Sequence, residues 1–402
     1  MKSLKVALLL GFTSIARGNR SVIVLTVMIL TLVGLNVLFV PSLLAGLVNG
    51  SNDKLVNTYS GDIVVTSGDT ANPLIPNAAE LTAQIDKIPG VSASTVRNYL
   101  GSEMSYKGNR AMAIVYGISP VTEKQVFDID KYLVEGSYLS EGDSGQILLG
   151  VQVAGAGRSG LEFYSRSLVN VHAGDTINVT FGNNVQKSYL VKGIFYTEFI
   201  QTDLQAFITQ GDFETVMPRS QDSAYYIHVK TADGANLKNI GDEISQSAPG
   251  LKIFTWTDYA GIMRSMTDSF TAIKAILSSV NILVAGFTVF ILTYIDVTTR
   301  RKQIGIQRAI GITSAAITAA YLMRAIFLAV LGTVFSALLF QFVVTPVEAV
   351  YPFHFPFGAV YLKAGTAELF SMAATLIGVS LLAAFLPVRG VTRMRIMDAI
   401  WG

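Results

Sequence analysis

Three histidines, His172, His228 and His354, are the side chains best suited to hold a metal or to move a proton near neutral pH. They are scattered, with no i, i+4 pair and no carboxylate cluster beside them, whereas zinc asks for three or four convergent ligands. The chain has no cysteine, which excludes thiolate ligation, a thiol nucleophile and a disulfide framework. GAGRSG, residues 155–160, spells G-x-G-x-x-G. No acidic ribose-binding residue follows it in a strand–turn–helix setting, and a flexible glycine-rich loop accounts for it. No G-x-x-x-x-G-K-[ST] occurs, so this chain cannot cradle ATP phosphates in a P-loop, and no G-x-S-x-G elbow marks a serine nucleophile. The expectation is a non-enzymatic chain with no catalytic residue, metal or cofactor of its own.

What remains is the chemistry of placed charge. TRRKQIGIQRAIG, residues 299–311, sets Arg300, Arg301, Lys302 and Arg308 and two glycines between long apolar runs. The whole chain is 51% hydrophobic and 14% charged, against roughly a quarter charged in ordinary soluble chains, which points to an integral membrane protein. Its net charge of +2 hides an asymmetry: residues 50–266 hold 23 acids and 16 bases, the rest 5 acids and 14 bases. Eleven of those 14 bases fall in three places: Lys2, Lys5, Arg17 and Arg20; the four named above; and Arg389, Arg393 and Arg395. Bases confined to short segments beside apolar runs are the mark of membrane topology and not of nucleic-acid binding.

Four runs are long enough for the ~20 residues a crossing helix needs: spans at 21–48, 273–295, 317–344 and 367–387. The positive-inside rule places both termini and the 296–316 connection in the cytoplasm, with 49–272 and a short loop at 345–366 outside. Residues 1–20 suit a cytoplasmic amphipathic helix lying in the interface, and 388–402 form a cytoplasmic tail. Pro41 lies in the first span, which could tilt, kink or project as a stalk. The run before the second span keeps helical spacing from Gly261, so two helices are expected to continue from the membrane into the outside domain. Arg324 lies about two turns inside the third span. It either snorkels to head groups or makes a structural contact, or it has a gating role.

The outside domain echoes itself. GDIVVTS (61–67) precedes AAELTAQIDKIPGVSASTVRN, and AYYIHVK (224–230) precedes NLKNIGDEISQSAPGLKIFTWTD. Each reads strand, helix, Pro-Gly turn, strand, which suggests a split βαβ lobe at 50–116 plus 223–262. QILLG, GDTINVTFG, SYLVKGIFY and LQAFIT make a β-rich inserted lobe at 117–222. The fold class is therefore membrane α-helical, four transmembrane helices, plus an α+β extracytoplasmic domain with these two lobes.

The 299–311 segment also reads as a short amphipathic helix. Ile304, Ile306 and Ile310 can face a partner or the bilayer, and Arg301 and Arg308, seven apart, share a side. A topology-setting basic loop explains the charges but not Gly305 and Gly311, which cost a helix about 1 kcal/mol each without a turn or close approach to serve.

DVTTRRKQIGIQRAIGITSAAI (296–317) resembles the cytoplasmic loop of the MacB/FtsX-like ABC transporter permeases, approximately R-x-x-E-I-G-x-x-R-A-x-G. Arg300 or Arg301, Ile304, Gly305, Arg308, Ala309 and Gly311 match in order, while Gln303 stands where the family usually has glutamate. GQILLGVQVA, HAGDTINVTF and VKGIFYTEF resemble the family's outside-domain segments. The tail keeps Pro387, Ala399 and Ile400, with Ile396 where proline is common. Arg324 stands where the family often carries glutamate.

The resemblance, which includes the architecture of the lipoprotein-releasing systems, implies a coupling helix received by a cytoplasmic ATPase. Its expected contact residues are Arg300, Arg301, Gln303, Ile304, Gly305, Gln307, Arg308, Ala309 and Gly311. It further implies two ATPase copies that bind ATP and Mg, a second permease subunit (identical or paralogous), and a bacterial inner (plasma) membrane location. Its implied work is mechanotransmission to lipoprotein, peptide or amphipathic cargo. The alternative is an FtsX-like regulator that activates a cell-wall hydrolase. A periplasmic adaptor or a hydrolase is thus a further partner the resemblance allows; a nucleic acid is not.

Overall fold

The structure is a computed structural model that describes residues 20–69, 71–155, 166–259, 261–355, 358–395 and 397. The expected interfacial helix at 1–20 (but for its last residue), the GAGRSG loop beyond Gly155, and the tail positions Ile396, Ala399 and Ile400 lie outside the described residues. Contacts divide the chain into a helical unit (Met1–Val48, Thr267–Phe353 and Val360–Gly402) and a sheet unit (Asn49–Met266 and His354–Ala359).

Among the described residues four long helices carry the apolar runs, and all four are long and apolar enough to cross a membrane. They are Arg20–Leu55, Gly261–Thr299, Ser314–Leu339 and Thr366–Arg393. Each outlasts its apolar run, because polar residues of adequate helix propensity continue the hydrogen-bond ladder where the need for apolarity ends. The first runs on past Pro41, and the fourth past Pro387. The third passes through a π-turn at Phe340–Val344 into Thr345–Val350, so helix enters the segment expected as loop. Large side chains such as Leu283, Phe287, Phe342, Phe370 and Leu382 are exposed along these helices. A soluble surface would not tolerate such area, but lipid is their natural solvent.

Small residues let the first and third helices touch. A Cβ on Gly332 would lie 2.7 Å from Leu30 Cβ, and Ser336, one turn on, donates to the Thr31 carbonyl at 2.8 Å. This small-x-x-x-small spacing brings backbones close where apolar burial gives no drive. Leu30, Val289, Ala325, Leu328, Ala383 and Ala384 then form one core drawn from all four helices.

The sheet unit contains β1 (Ile63–Ser67), β2 (Ile75–Pro76), β3 (Val91–Tyr106), β4 (Asn109–Ile118), β5 (Leu133–Gly136) and β6 (Gln146–Gly150). It continues with β7 (Thr176–Phe181), β8 (Gln186–Phe195), β9 (Gln205–Thr209), β10 (Ser223–Ala224), β11 (Tyr226–Thr231) and β12 (Leu251–Thr255). The order β12-β1-β11-β3, antiparallel throughout, is the split βαβ arrangement. Helices Ala78–Ile85 and Leu237–Ser247 set Leu81, Ile85, Ile240 and Ile244 in one core with Ile63, Val65, Ile227 and Val229.

The second half of β3 leaves that sheet and joins another. It pairs with β4 and with β7, β7 with β8, β8 with β6, β6 with β9 and β9 with β4. These six strands close into a ring, which removes their free edges, around Met104, Val115, Ile147, Ile177, Val191 and Ile208. The boundary expected at 116/117 falls inside β4. At ~3.3 Å per residue, 16-residue β3 is about 50 Å long and serves both lobes.

Within the sheet unit, residues 54–60, the end of the first helix and a π-turn, are held by several polar contacts. Lys54 pairs with Glu198 at 3.4 Å, Asn57 accepts from Lys230 at 2.8 Å, and the Thr58 and Thr202 hydroxyls are 3.1 Å apart. Arg97 donates to the Tyr59 carbonyl at 3.2 Å and the His228 ring to that of Ser60 at 2.7 Å. Arg97 is itself buried against Glu123, its guanidinium 3.7 Å over the Phe127 ring.

Two buried groups here have opposed acid–base behaviour. Burial pushes the Asp203 carboxyl up to about 7, although the Thr197 amide and hydroxyl donate to it at 2.8 Å. Burial pushes the His228 ring down to about 3. With unfolded values of about 3.9 and 6.5, Asp203 contributes stability below pH ~4 that is lost as pH rises through about 7. His228 contributes above pH ~6.5, and that contribution is lost as pH falls toward about 3. Asp203→Asn should therefore melt several degrees higher than the parent at pH 8, with the advantage gone by pH 4. Circular dichroism of the full chain in detergent measures this, and parallel pH profiles would refute it.

Candidate docking site on the short helix

Residues 301–309 form a helix, Arg301–Ala309, between the second and third long helices. Arg, Lys, Gln and Ala favour helix, but nine residues are too few to hold one in water. Three features hold it. At its head Arg300 leaves helical geometry (φ −99°, ψ 9°), and its Nε donates back to Asp296 at 3.1 Å. In its middle Ile304, 2% exposed, packs with Val297, Ile317, Val388 and Val391, drawing in the second, third and fourth helices. At its tail Gly311 takes φ +96°.

There the Gly311 N–H reaches the Arg308 carbonyl at 3.1 Å and the Ile312 N–H the Gln307 carbonyl at 3.0 Å. That pair of bonds is a Schellman stop, which needs a left-handed residue at this position. Among the described residues no neighbour lies within 4 Å of where a Gly311 side chain would start, and the glycine serves the turn. Thr313 then caps the third helix through the Ala316 amide at 3.3 Å.

The helix has two unlike faces. Ile304 and Gly305 are buried. Lys302, Gln303, Ile306, Ala309 and Ile310 are exposed, Ile306 by 48% and Ile310 by 73%. The three isoleucines thus do not share a face. Residues two apart on a helix are 200° apart, so Ile304 turns into the chain's own core while Ile306 and Ile310, one turn apart, look outward. Lys302 extends that row by another turn.

Of the other expected contact residues, Arg301 and Gln307 are half-buried, and Gly311 is exposed at the stop. Arg300 is occupied by Asp296, and half-buried Arg308 donates to the Met394 carbonyl beyond the fourth helix. Nearby, Ser314 donates to the Thr392 carbonyl at 3.1 Å. Ile306 and Ile310, with Lys302, are the exposed residues the expected contact set omits. Their i, i+4 spacing was the available signal.

Arg324 is buried in the third helix and its Nη1 meets Asp296. Of the histidines, His172 stands 3.1 Å from Glu135 at the surface, and His228 is engaged with Ser60. The His354 side chain lies outside the described residues.

The two isoleucines separate support from surface. Ile304→Ala should destabilise the chain by about 2–4 kcal/mol, whereas Ile306→Ala should stay within about 0.5 kcal/mol. Thermal unfolding of both variants in detergent checks this; equal losses would contradict the assignment of faces.

Two family models match the chain in succession. Residues 24–247 match the MacB-like periplasmic core domain, and 275–396 match the FtsX-like permease C-terminal domain. The chain is 21% identical over 272 residues to the uncharacterized ABC transporter permease MJ1507 of Methanocaldococcus jannaschii. That match covers 66% of this chain and 65% of that protein's length. Among solved structures, the periplasmic region of MacB from Actinobacillus actinomycetemcomitans aligns at 13% identity and a TM-score of 0.37, over 50% of this chain and 92% of that one. The extracellular domain of the ABC-type transporter YknZ from Gram-positive bacteria aligns at 12% and 0.35, over 48% and 99%. The first family match alone spans more than half of the chain and the second takes up the helices after it, and the chain belongs to the MacB/FtsX-like ABC transporter permease family.

Proposed function

We propose that this chain is the membrane subunit of an ABC transporter and that the outward face of the Arg301–Ala309 helix docks into a separate cytoplasmic ATPase. The observation that carries this reading is an exposed Lys302–Ile306–Ile310 row on a helix whose opposite side is fixed in the chain's own core. Such a helix cannot yield independently of the spans, so a push on it is a push on them. The row is apolar with a basic end, and the helix holds no acid. Its complement is a cleft with an apolar floor and an acidic rim. Gln303, at the edge of the row, offers a neutral hydrogen bond where the family's glutamate would offer a charge.

In this reading the basic segments keep both termini and the short helix on the cytoplasmic side of the plasma membrane, with the sheet unit outside. Two permease subunits, identical or paralogous, pair with two ATPase subunits, which bind ATP and Mg. Closure of the ATPases moves the short helices, the spans follow, and the sheet units change arrangement to handle lipoprotein, peptide or amphipathic cargo. The hold on residues 54–60 supports this, because these residues continue the first helix and are packed within the sheet unit. A periplasmic adaptor would act downstream of the same movement. The regulator alternative shares the docking step and differs in what the sheet unit contacts, cargo or a hydrolase.

Ile306→Asp combined with Ile310→Asp should abolish co-purification of the ATPase in mild detergent, at least tenfold, while the melting temperature stays within about two degrees of the parent, as expected for surface changes. Retention of the ATPase at parental yield would overturn the docking reading.

A further inference from the structure

Asp296 stands where three elements meet. It lies in the last turn of the Gly261–Thr299 helix, and its two carboxylate oxygens are divided between two arginines. One oxygen takes Arg300 Nε, at the head of the short helix, at 3.1 Å; the other takes Arg324 Nη1, inside the third long helix. We propose that Asp296 is a positioning residue that passes displacement of the short helix to the third span through Arg324. The inference rests on the docking reading above and assigns the residues that transmit what docking starts.

Three observations carry it. The first is burial: the side chains of Arg324 and Asp296 are 7% and 16% exposed. A surface ion pair is slack and nearly neutral in energy, but a buried one resists separation because either partner alone would be an unpaired charge in an apolar setting. The contact therefore behaves as a rigid tie.

The second is the shared acid. Asp296 is the single acid in residues 269–347, which hold six lysines and arginines, and both Arg300 and Arg324 converge on it.

The third is direction. The Ile304 cluster also joins the short helix to the spans, but apolar contacts hold without fixing an angle, whereas divided hydrogen bonds from one carboxylate do. A cavity of about 40 Å³ borders the pair, lined in part by Thr26, Thr293 and Tyr321. It is large enough for a water, so a variant with a neutral residue at 296 keeps Arg324 hydrated and should fold.

The test uses the full chain with its ATPase in nanodiscs. The protein has no cysteine, so a single spin label at Met112→Cys, which is exposed in the sheet unit, reports the response to ATP with vanadate. Asp296→Asn and Arg324→Gln should each retain the ATPase and each cut the nucleotide-dependent change in label mobility at least fivefold. The double variant should be no worse than either single, the signature of residues that act as one unit. Asp296→Glu should restore at least half of the response, which a general loss of stability would not allow. A full response in Asp296→Asn with the ATPase bound overturns this inference alone, as does a double variant that falls to the product of the singles. Absence of the ATPase from the unaltered chain overturns the docking reading, and this inference with it. An unaltered chain that binds the ATPase but shows no response at the label overturns the transmission step.

Discussion

A nine-residue helix has too few hydrogen bonds to offset the cost of nucleating it in water, and that constraint organises the helical unit. The Arg301–Ala309 helix persists because the rest of the chain holds it: Arg300 and Arg308 tie its two ends, Ile304 anchors its middle, and Gly311 stops it. The same contacts decide what is left over. Once Ile304 and Gly305 are turned inward, the outward row of Lys302, Ile306 and Ile310 follows from helical geometry alone. The candidate site is therefore what remains after the helix has been made stable, and its face cannot be altered from the inside without loosening the spans.

The charges of this segment divide in the same way. Positive residues beside apolar runs set topology, yet in the folded chain they do not act alike. Arg300 and Arg324 converge on Asp296, and Arg308 reaches the backbone past the fourth helix. Lys302 belongs to the outward row. A cluster of bases that looks uniform in sequence thus separates into structural ties and a surface-facing cation. In the sheet unit the corresponding logic falls to Arg97 and Glu123, a buried pair around which residues 54–60 are fastened.

Much of this was legible in the sequence, for identifiable reasons. Apolar runs of span length and basic segments beside them mark the four helices, because lipid demands both. The spacing led to the expectation that the first two helices run on past their apolar stretches, but where the first one stops was not legible, since residues such as Asn49–Leu55 carry it without apolarity to mark its end. The strand–helix–strand echo gave the split βαβ lobe, its Pro-Gly turns acting as punctuation. The boundary with the inserted lobe was hidden because β3 changes partners near Arg97 with no glycine or proline at that point. In the short helix, Gly311 pointed to a turn and Ile306 and Ile310 to a face, but placing Ile304 beside them ignored the 200° between residues two apart. The Asp296–Arg324 tie links residues 28 positions apart, and no local pattern reveals which buried arginine a given acid will meet.

The measurement closest to the central claim is site-specific photocrosslinking from the short helix in native membranes. A photoreactive residue at 306 or 310 should capture a P-loop ATPase, while the same residue at Leu382, an exposed apolar position on the fourth helix, should capture lipid. Capture of lipid alone from 306 and 310, in membranes where the ATPase is present and active, would contradict the account.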